Sequence, residues 1–271
     1  MKKNKSVSII MALVMILAMM AGCAPKDSTK PTGNFTDEMK IPYGADLSPD
    51  DGADSVERDG DHVGSPYFSN LDFYNMTSTD TLTILSNFRT QQQTTEWSCG
   101  VTTAIMALDW YGKLGSHNEQ SLSEFRKTSE YNAERLPGGS APSATSLRQM
   151  IDIFEALGGF DIYSTFDCED NVNDVFTLEY IRETLASGNP ILVGWNDWGG
   201  HWQAIIGYDT MGTEFESDDV IIVADPYDTT DHNQDGYGVY GAERFIYNFT
   251  FYNFFPEEEL NDMTFLVATP K

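Results

Sequence analysis

The run Val101, Ala104, Ile105, Ala107, Leu108 and Trp110 constrains this chain more than any other stretch. It is too long for one strand and too apolar for a surface helix, so it predicts a helix buried against something large. A polar approach, Gln91 to Ser98, leads into it and ends at Cys99 and Gly100. That order places Cys99 in the first turn of the helix. There the unpaired backbone N–H groups and the positive end of the helix dipole favour a thiolate over a thiol. A thiolate at a helix start, met by a histidine from elsewhere, is a frequent design for a cysteine nucleophile. A cysteine packed as a small hydrophobe fits this stretch equally well, so the remaining sequence has to decide.

The 271 residues, 41% of them hydrophobic and 13% aromatic, suffice for one domain of about 200 residues with a real core. Sixteen Lys and Arg stand against 42 Asp and Glu, a net charge of −26. A polyanion would be repelled, which excludes a general nucleic-acid binder. The acidity is compatible with solubility outside a cell or with cation binding and selects neither.

Lys2, Lys3 and Lys5 form a basic start, Ser8 to Met20 an apolar stretch, and Met20-Ala21-Gly22 places small residues before Cys23. This resembles the lipobox of bacterial lipoproteins. By that resemblance residues 1–22 are a signal peptide, Cys23 carries lipid, and the protein sits on the extracellular face of the cell membrane. Residues 23–66 are acidic, with few large apolar side chains, and predict a flexible tether. The folded domain is expected over residues 67–271.

Within it, Leu82 and Ile84 suggest a short strand. Ser121 to Arg135 reads as a polar helix, and Leu147, Met150, Ile151, Phe154 and Leu157 recur at helical spacing up to Gly158-Gly159. Phe160 to Phe166 predicts a strand and Glu179 to Ala186 a helix. The pattern then turns β-rich at Ile191–Trp195, His201–Tyr208 and Val220–Ala224, with a last strand at Met263–Ala268. Helices followed by an antiparallel sheet predict an α+β fold.

Cys99 needs a base. His62 lies in the tether, His117 in a polar loop, and His232 among acids and glycines. Only His201 opens an apolar strand, directly after Gly199-Gly200. The next strand ends at Asp225-Pro226, where a carboxylate can fix the imidazole tautomer and stabilise its cation.

Gln93, then Cys99-Gly100 and a helix, then Gly200-His201 on one strand and Asp225-Pro226 on the next, resembles a papain-like cysteine peptidase. The segment from Gly188 through Gly200-His201 to Ala224-Asp225-Pro226 is most similar to family 39, the double-glycine leader peptidases and their free-standing relatives. The resemblance implies a papain-like α+β fold, in which an N-terminal helical half carries the nucleophile helix against a C-terminal antiparallel sheet. It implies Cys99 as nucleophile, His201 as base and then acid, Asp225 as its orienter, and Gln93 with the Cys99 N–H as oxyanion hole. No cofactor is required by such chemistry. The His201–Asp225 interval is longer than the family pattern, with Glu214 to Asp219 as an inserted hairpin tip, and Trp97-Ser98 and Val101 depart from its commonest wording.

A Cys99–Cys168 disulfide is the competing account of the two remaining cysteines in an exported chain. Asp231, Asn233 and Asp235 before Gly236 mimic the first half of a calcium loop, although its closing position is Ala242. Trp97, Trp198 and Trp202 are candidates for the substrate-cleft wall, with core packing as the alternative. The expected function is a membrane-anchored, monomeric cysteine peptidase with a peptide or protein substrate. A non-catalytic surface lipoprotein that binds peptides or cell-wall fragments, and transpeptidation on the same triad, are the alternatives.

Overall fold

In the computed structural model, residues 37–55, 71–126, 144–229, 234–249 and 263–271 are described. The apolar run forms α1 (Cys99–Trp110), with every residue from Cys99 to Leu108 buried. The cause is its composition: no face is polar enough to meet water, so the helix lies inside the molecule. Thr103 Oγ1 ties it to the sheet by donating to the Trp202 carbonyl at 3.1 Å.

Four further helices among the described residues start on side-chain caps. In α2 (Glu119–Ser123) the Asn118 side chain accepts from Ser121 N. In α3 (Leu147–Leu157) Ser146 Oγ accepts from Gln149 N while Gln149 Oε1 accepts from Ser146 N, a reciprocal box that satisfies two otherwise orphaned donors. After the single turn α4 (Val172–Val175), capped by the Asn171 side chain, Thr177 caps α5 (Leu178–Ala186) through Tyr180 N. The last helix among the described residues, α6 (Ala242–Asn248), follows a strand that hydrophobic patterning does not reveal. The helix predicted from Ser121 is found as Glu119–Ser123, and residues 127–143 lie outside the described residues.

The strands are β1 (Leu82–Ile84), β2 (Phe160–Ser164), β3 (Ile191–Trp195), β4 (His201–Asp209), β5 (Val220–Ala224), β6 (Tyr237–Gly241) and β7 (Thr264–Pro270). They form one antiparallel sheet in the order β2-β7-β3-β4-β5-β6, with β1 also paired to β4. This is the predicted α+β class. β4 lies at the centre and is buried from His201 to Tyr208, so it reads as a continuous apolar run instead of an alternation.

Side-chain alternation assigns the two faces. Trp202 points to α1, where its Cδ1 limits the space at Gly100. Trp195, paired with His201, points the other way and meets Phe245 of α6 at 4.9 Å between ring centroids. On that second face Phe176 meets Phe249 and Phe265 at 4.8 and 4.9 Å, forming an aromatic core under α5 and α6. The site therefore lies where the α1 face and the start of β4 meet.

Composition predicts a free tether as far as residue 66. Residues 37–55 instead lie on the domain. Met39, Ile41 and Ala53 are buried. Ile41 N donates to Thr90 O, Thr90 N to Met39 O, and both Ala53 N and Asp54 N to Gln93 O. Few apolar side chains are needed, because main-chain hydrogen bonds to the Gln-rich run hold the segment. At Gly52 (φ +79°) a Cβ would fall 2.5 Å from the Thr94 carbonyl carbon, so this close approach requires glycine. Residues 56–70, and those before 37, lie outside the described residues.

Gly100 tests how closely α1 is seated. A Cβ there would lie 2.6 Å from Thr145 Cβ and 3.1 Å from Trp202 Cδ1. Gly100→Ala gains about 1 kcal/mol of helix propensity, but overpacking costs about 1–3 kcal/mol. The expected result is a net loss of stability in urea unfolding; a more stable variant would show that the seat is looser than this.

Candidate active site

The β4–β5 register builds the site. Ala204 pairs with Ala224, so the next residue, Asp225, emerges opposite Gln203 and on the same face as His201. His201 Nε2 lies 2.6 Å from Asp225 Oδ1. Cys99 lies near the same imidazole and is one of the groups that raise its pKa. All three residues are buried, at 4, 3 and 8% exposure for Cys99, His201 and Asp225. The structure thus brings together three of the predicted site residues from a helix start, a strand start and a strand end.

Asp225 is held on both oxygens. Oδ1 also accepts from Tyr227 N at 2.7 Å, and Oδ2 accepts from Gln203 Nε2 at 2.8 Å. Gln203 Oε1 in turn accepts from Trp195 Nε1 at 2.9 Å, which fixes the amide orientation. Tyr227 stands edge-on to His201 at 6.4 Å and donates its hydroxyl to Glu96. Sequence reading does not single out Gln203 or Tyr227. Gln203 was legible in principle, since it lies two residues from His201 and so on the same strand face.

Burial alone would lower the His201 pKa, but the Asp225 carboxylate and the Cys99 contact outweigh it and raise it to about 10. Burial pushes Asp225 up, and the His201 cation, the Tyr227 N–H and the Gln203 amide hold it below the usual carboxylate range. The pair is thus a buried imidazolium–carboxylate ion pair at neutral pH.

Gln93 sits in the segment before α1, docked to the acid's loop by Gln93 N donating to Pro226 O at 2.8 Å. Its side chain is buried and Nε2 donates to Thr95 O at 2.7 Å, which leaves its second N–H uncommitted. Glu119, fully buried, organises this segment. It accepts from Thr94 N at 3.1 Å, from Thr94 Oγ1, from Ser98 Oγ at 3.2 Å and from Thr102 Oγ1 at 2.5 Å. Burial raises its pKa against those donors. No sequence signal pointed to Glu119, because its partners lie in another segment. Arg126, 7% exposed, lies with its guanidinium 4.9 Å from the centre of the Trp97 ring and donates to Thr145 Oγ1 at 3.2 Å. Burial lowers its pKa to about 10 against the opposing influence of Cys99, so a fixed cation faces the thiol's surroundings.

The tryptophans divide. Trp97 is half-buried under Arg126. Trp202 is fully buried, donates Nε1 to Thr145 O at 2.7 Å, and packs on Gly100, so it belongs to the core and not to a cleft wall. The Trp198 side chain lies outside the described residues. Both Cys99 and Cys168 are free thiols, which removes the disulfide account.

Of the three candidate calcium ligands only Asp235 lies within the described residues. Asp235 Oδ1 accepts from Tyr237 N at 2.9 Å, as in an ordinary turn, and the closing position is the buried Ala242 at the start of α6. Asp231 and Asn233, like Cys23, lie outside the described residues. Among the described residues no group of three His, Cys, Asp or Glu could hold a metal ion, and no helix is long and apolar enough to cross a membrane.

The chain belongs to the Peptidase_C39 like family, whose model matches residues 85–250. The matched region runs from the approach to Cys99 through Asp225 to α6, and it suggests a cysteine peptidase. Comparison with curated proteins gives no match.

Two variants test the electrostatics. The His201 pKa is raised on folding, so the ion pair stabilises fully below about pH 6.5 and its contribution is lost as pH rises through about 10. Asp225→Asn should therefore be less stable than the unaltered protein at neutral pH, with the difference shrinking toward pH 10 in urea unfolding. Glu119→Ala strands several buried donors and should lose about 1–3 kcal/mol or more. An unfolding midpoint unchanged by Glu119→Ala would remove its organising role.

Proposed function

We propose that this protein is a cysteine peptidase that hydrolyses peptide bonds through Cys99, His201 and Asp225, with Gln93 and the Cys99 N–H as oxyanion hole. The observation that carries this reading is the buried His201 imidazole, hydrogen-bonded to Asp225 Oδ1 at 2.6 Å with the start of the Cys99 helix beside it. The sulfur attacks the substrate carbonyl carbon, a C–S bond forms, and the carbonyl π electrons move to oxygen. The free Gln93 N–H and the first-turn N–H of Cys99 receive that charge. As the tetrahedral species collapses the C–N bond breaks, and the imidazolium gives its proton to the departing amine. His201 then takes a proton from water, which attacks the thioester; the C–S bond breaks, the acid is released, and the free sulfur and the imidazolium are restored. Asp225 keeps the imidazole oriented throughout, and its orientation rests in turn on Gln203 and Tyr227.

No cofactor enters this reaction, and the proposed enzyme acts as a monomer on a peptide or protein. Its proposed location is the extracellular face of the cell membrane, through lipid on Cys23. The order Met20-Ala21-Gly22-Cys23 after an apolar stretch supports that reading.

Cys99→Ala should lower peptide hydrolysis by on the order of a thousandfold or more with the fold intact by circular dichroism, and native Cys99 should react with iodoacetamide. Full hydrolysis by Cys99→Ala would end the peptidase reading. For the anchor, a radiolabelled fatty acid should enter the protein in bacteria and be lost in Cys23→Ala; equal labelling of both would place the lipid elsewhere.

A further inference from the structure

Beside the candidate triad, on the Gln203 side of the sheet, lies a cavity of about 400 Å³. Its lining includes Trp195, Asp197, Tyr240, Arg244, Phe245 and Tyr247, from the end of β3 and the β6–α6 corner. The size falls within the range of small-molecule sites, roughly 300–1,000 Å³. Trp195 meets Tyr240 edge-on at 5.3 Å and Phe245 at 4.9 Å, so the inner wall is a rigid aromatic angle. Tyr247 is 83% exposed, an unusual state for a large aromatic that also lines a cavity.

The two charged linings differ in what already holds them. Asp197 Oδ2 accepts from Tyr240 Oη at 2.8 Å and from Gln203 Nε2 at 3.3 Å, so it is engaged within the protein. Arg244 is exposed on α6, and no carboxylate pairs with its guanidinium among the described residues. The chain carries 42 acidic residues, so a guanidinium left without an acid on a cavity wall needs a reason. Its planar fork matches a carboxylate in two parallel hydrogen bonds. The aromatic wall beside it matches a flat apolar group.

We propose that this cavity binds an aromatic residue bearing a free carboxylate, as at the C-terminus of a peptide. Arg244 takes the carboxylate, and Trp195, Tyr240, Phe245 and Tyr247 enclose the ring. The site adjoins the triad, because Asp197 and Tyr240 share the Gln203 amide that also holds Asp225. The proposal does not rest on the peptidase reading, and binding alone decides it.

The test uses the full chain carrying Cys99→Ala, so that no chemistry intervenes. Calorimetric titration compares N-acetylphenylalanine with N-acetylphenylalanine amide. The acid should bind at least about tenfold more tightly than the amide, a difference of about 1.4 kcal/mol. Adding Arg244→Gln should abolish that preference, and adding Tyr247→Ala should weaken both ligands. Equal binding of acid and amide overturns the proposal, as does no binding of either at millimolar concentration or a preference that survives Arg244→Gln. Arg244 is exposed, so its replacement leaves the fold intact, and the acid–amide comparison needs no variant of it. Failure here would leave hydrolysis by the unaltered protein untouched, and absence of hydrolysis would leave this binding result standing.

Discussion

The antiparallel pairing of β4 with β5 is the constraint on which the site depends. A one-residue slip in that register would turn Asp225 to the other face of the sheet and leave His201 buried without its acid. The register is held from both sides. β4 is flanked by β3 and β1 along one edge and by β5 along the other, and its side chains are buried on both faces. A shifted pairing would expose apolar groups and bury Asp225 away from the imidazole. The energy that specifies the fold therefore also specifies the relative position of base and acid.

The site concentrates charge in a place that water does not reach. A buried imidazolium–carboxylate pair, a buried Glu119 and a buried Arg126 all lie within or beside the segments that carry Cys99. Each buried charge would be costly alone. The cost is offset because every one is matched: Asp225 by an imidazole, a backbone N–H and an amide, and Glu119 by one backbone N–H and three hydroxyls. The same matching leaves little freedom to move. The nucleophile segment is braced from outside as well, since Ala53 and Asp54 of the preceding chain donate to the Gln93 carbonyl.

The elements legible in the sequence are those whose pattern is local. Leu147–Leu157 was legible from its apolar spacing and its stop at Gly158-Gly159, and the strands at Ile191–Trp195 and Val220–Ala224 from their β-branched runs. β6 and α6 were not, because two of the five residues of Tyr237–Gly241 are glycine and Ala242–Asn248 is short and mixed. The packing of residues 37–55 escaped composition because it uses main-chain hydrogen bonds, which leave no trace in side-chain hydrophobicity. Trp202 illustrates the opposite error. Its neighbour His201 points to the site, and strand alternation sends Trp202 to the core beneath α1.

The sequence by itself determined the α+β class, the buried helix that begins at Cys99, and the residue types from which a thiol, imidazole and carboxylate site is assembled. Periodicity and residue chemistry are properties of neighbours along the chain, and they survive without a structure. Only the tertiary structure decided that the His201 imidazole meets Asp225 near Cys99, that Gln203 and Tyr227 hold the acid, and that Glu119 ties down the approach to Cys99. Those partners come from separate segments, and their meeting depends on strand register and on which face each side chain occupies. Register is set by the summed burial of the whole sheet, and no short stretch of sequence contains it.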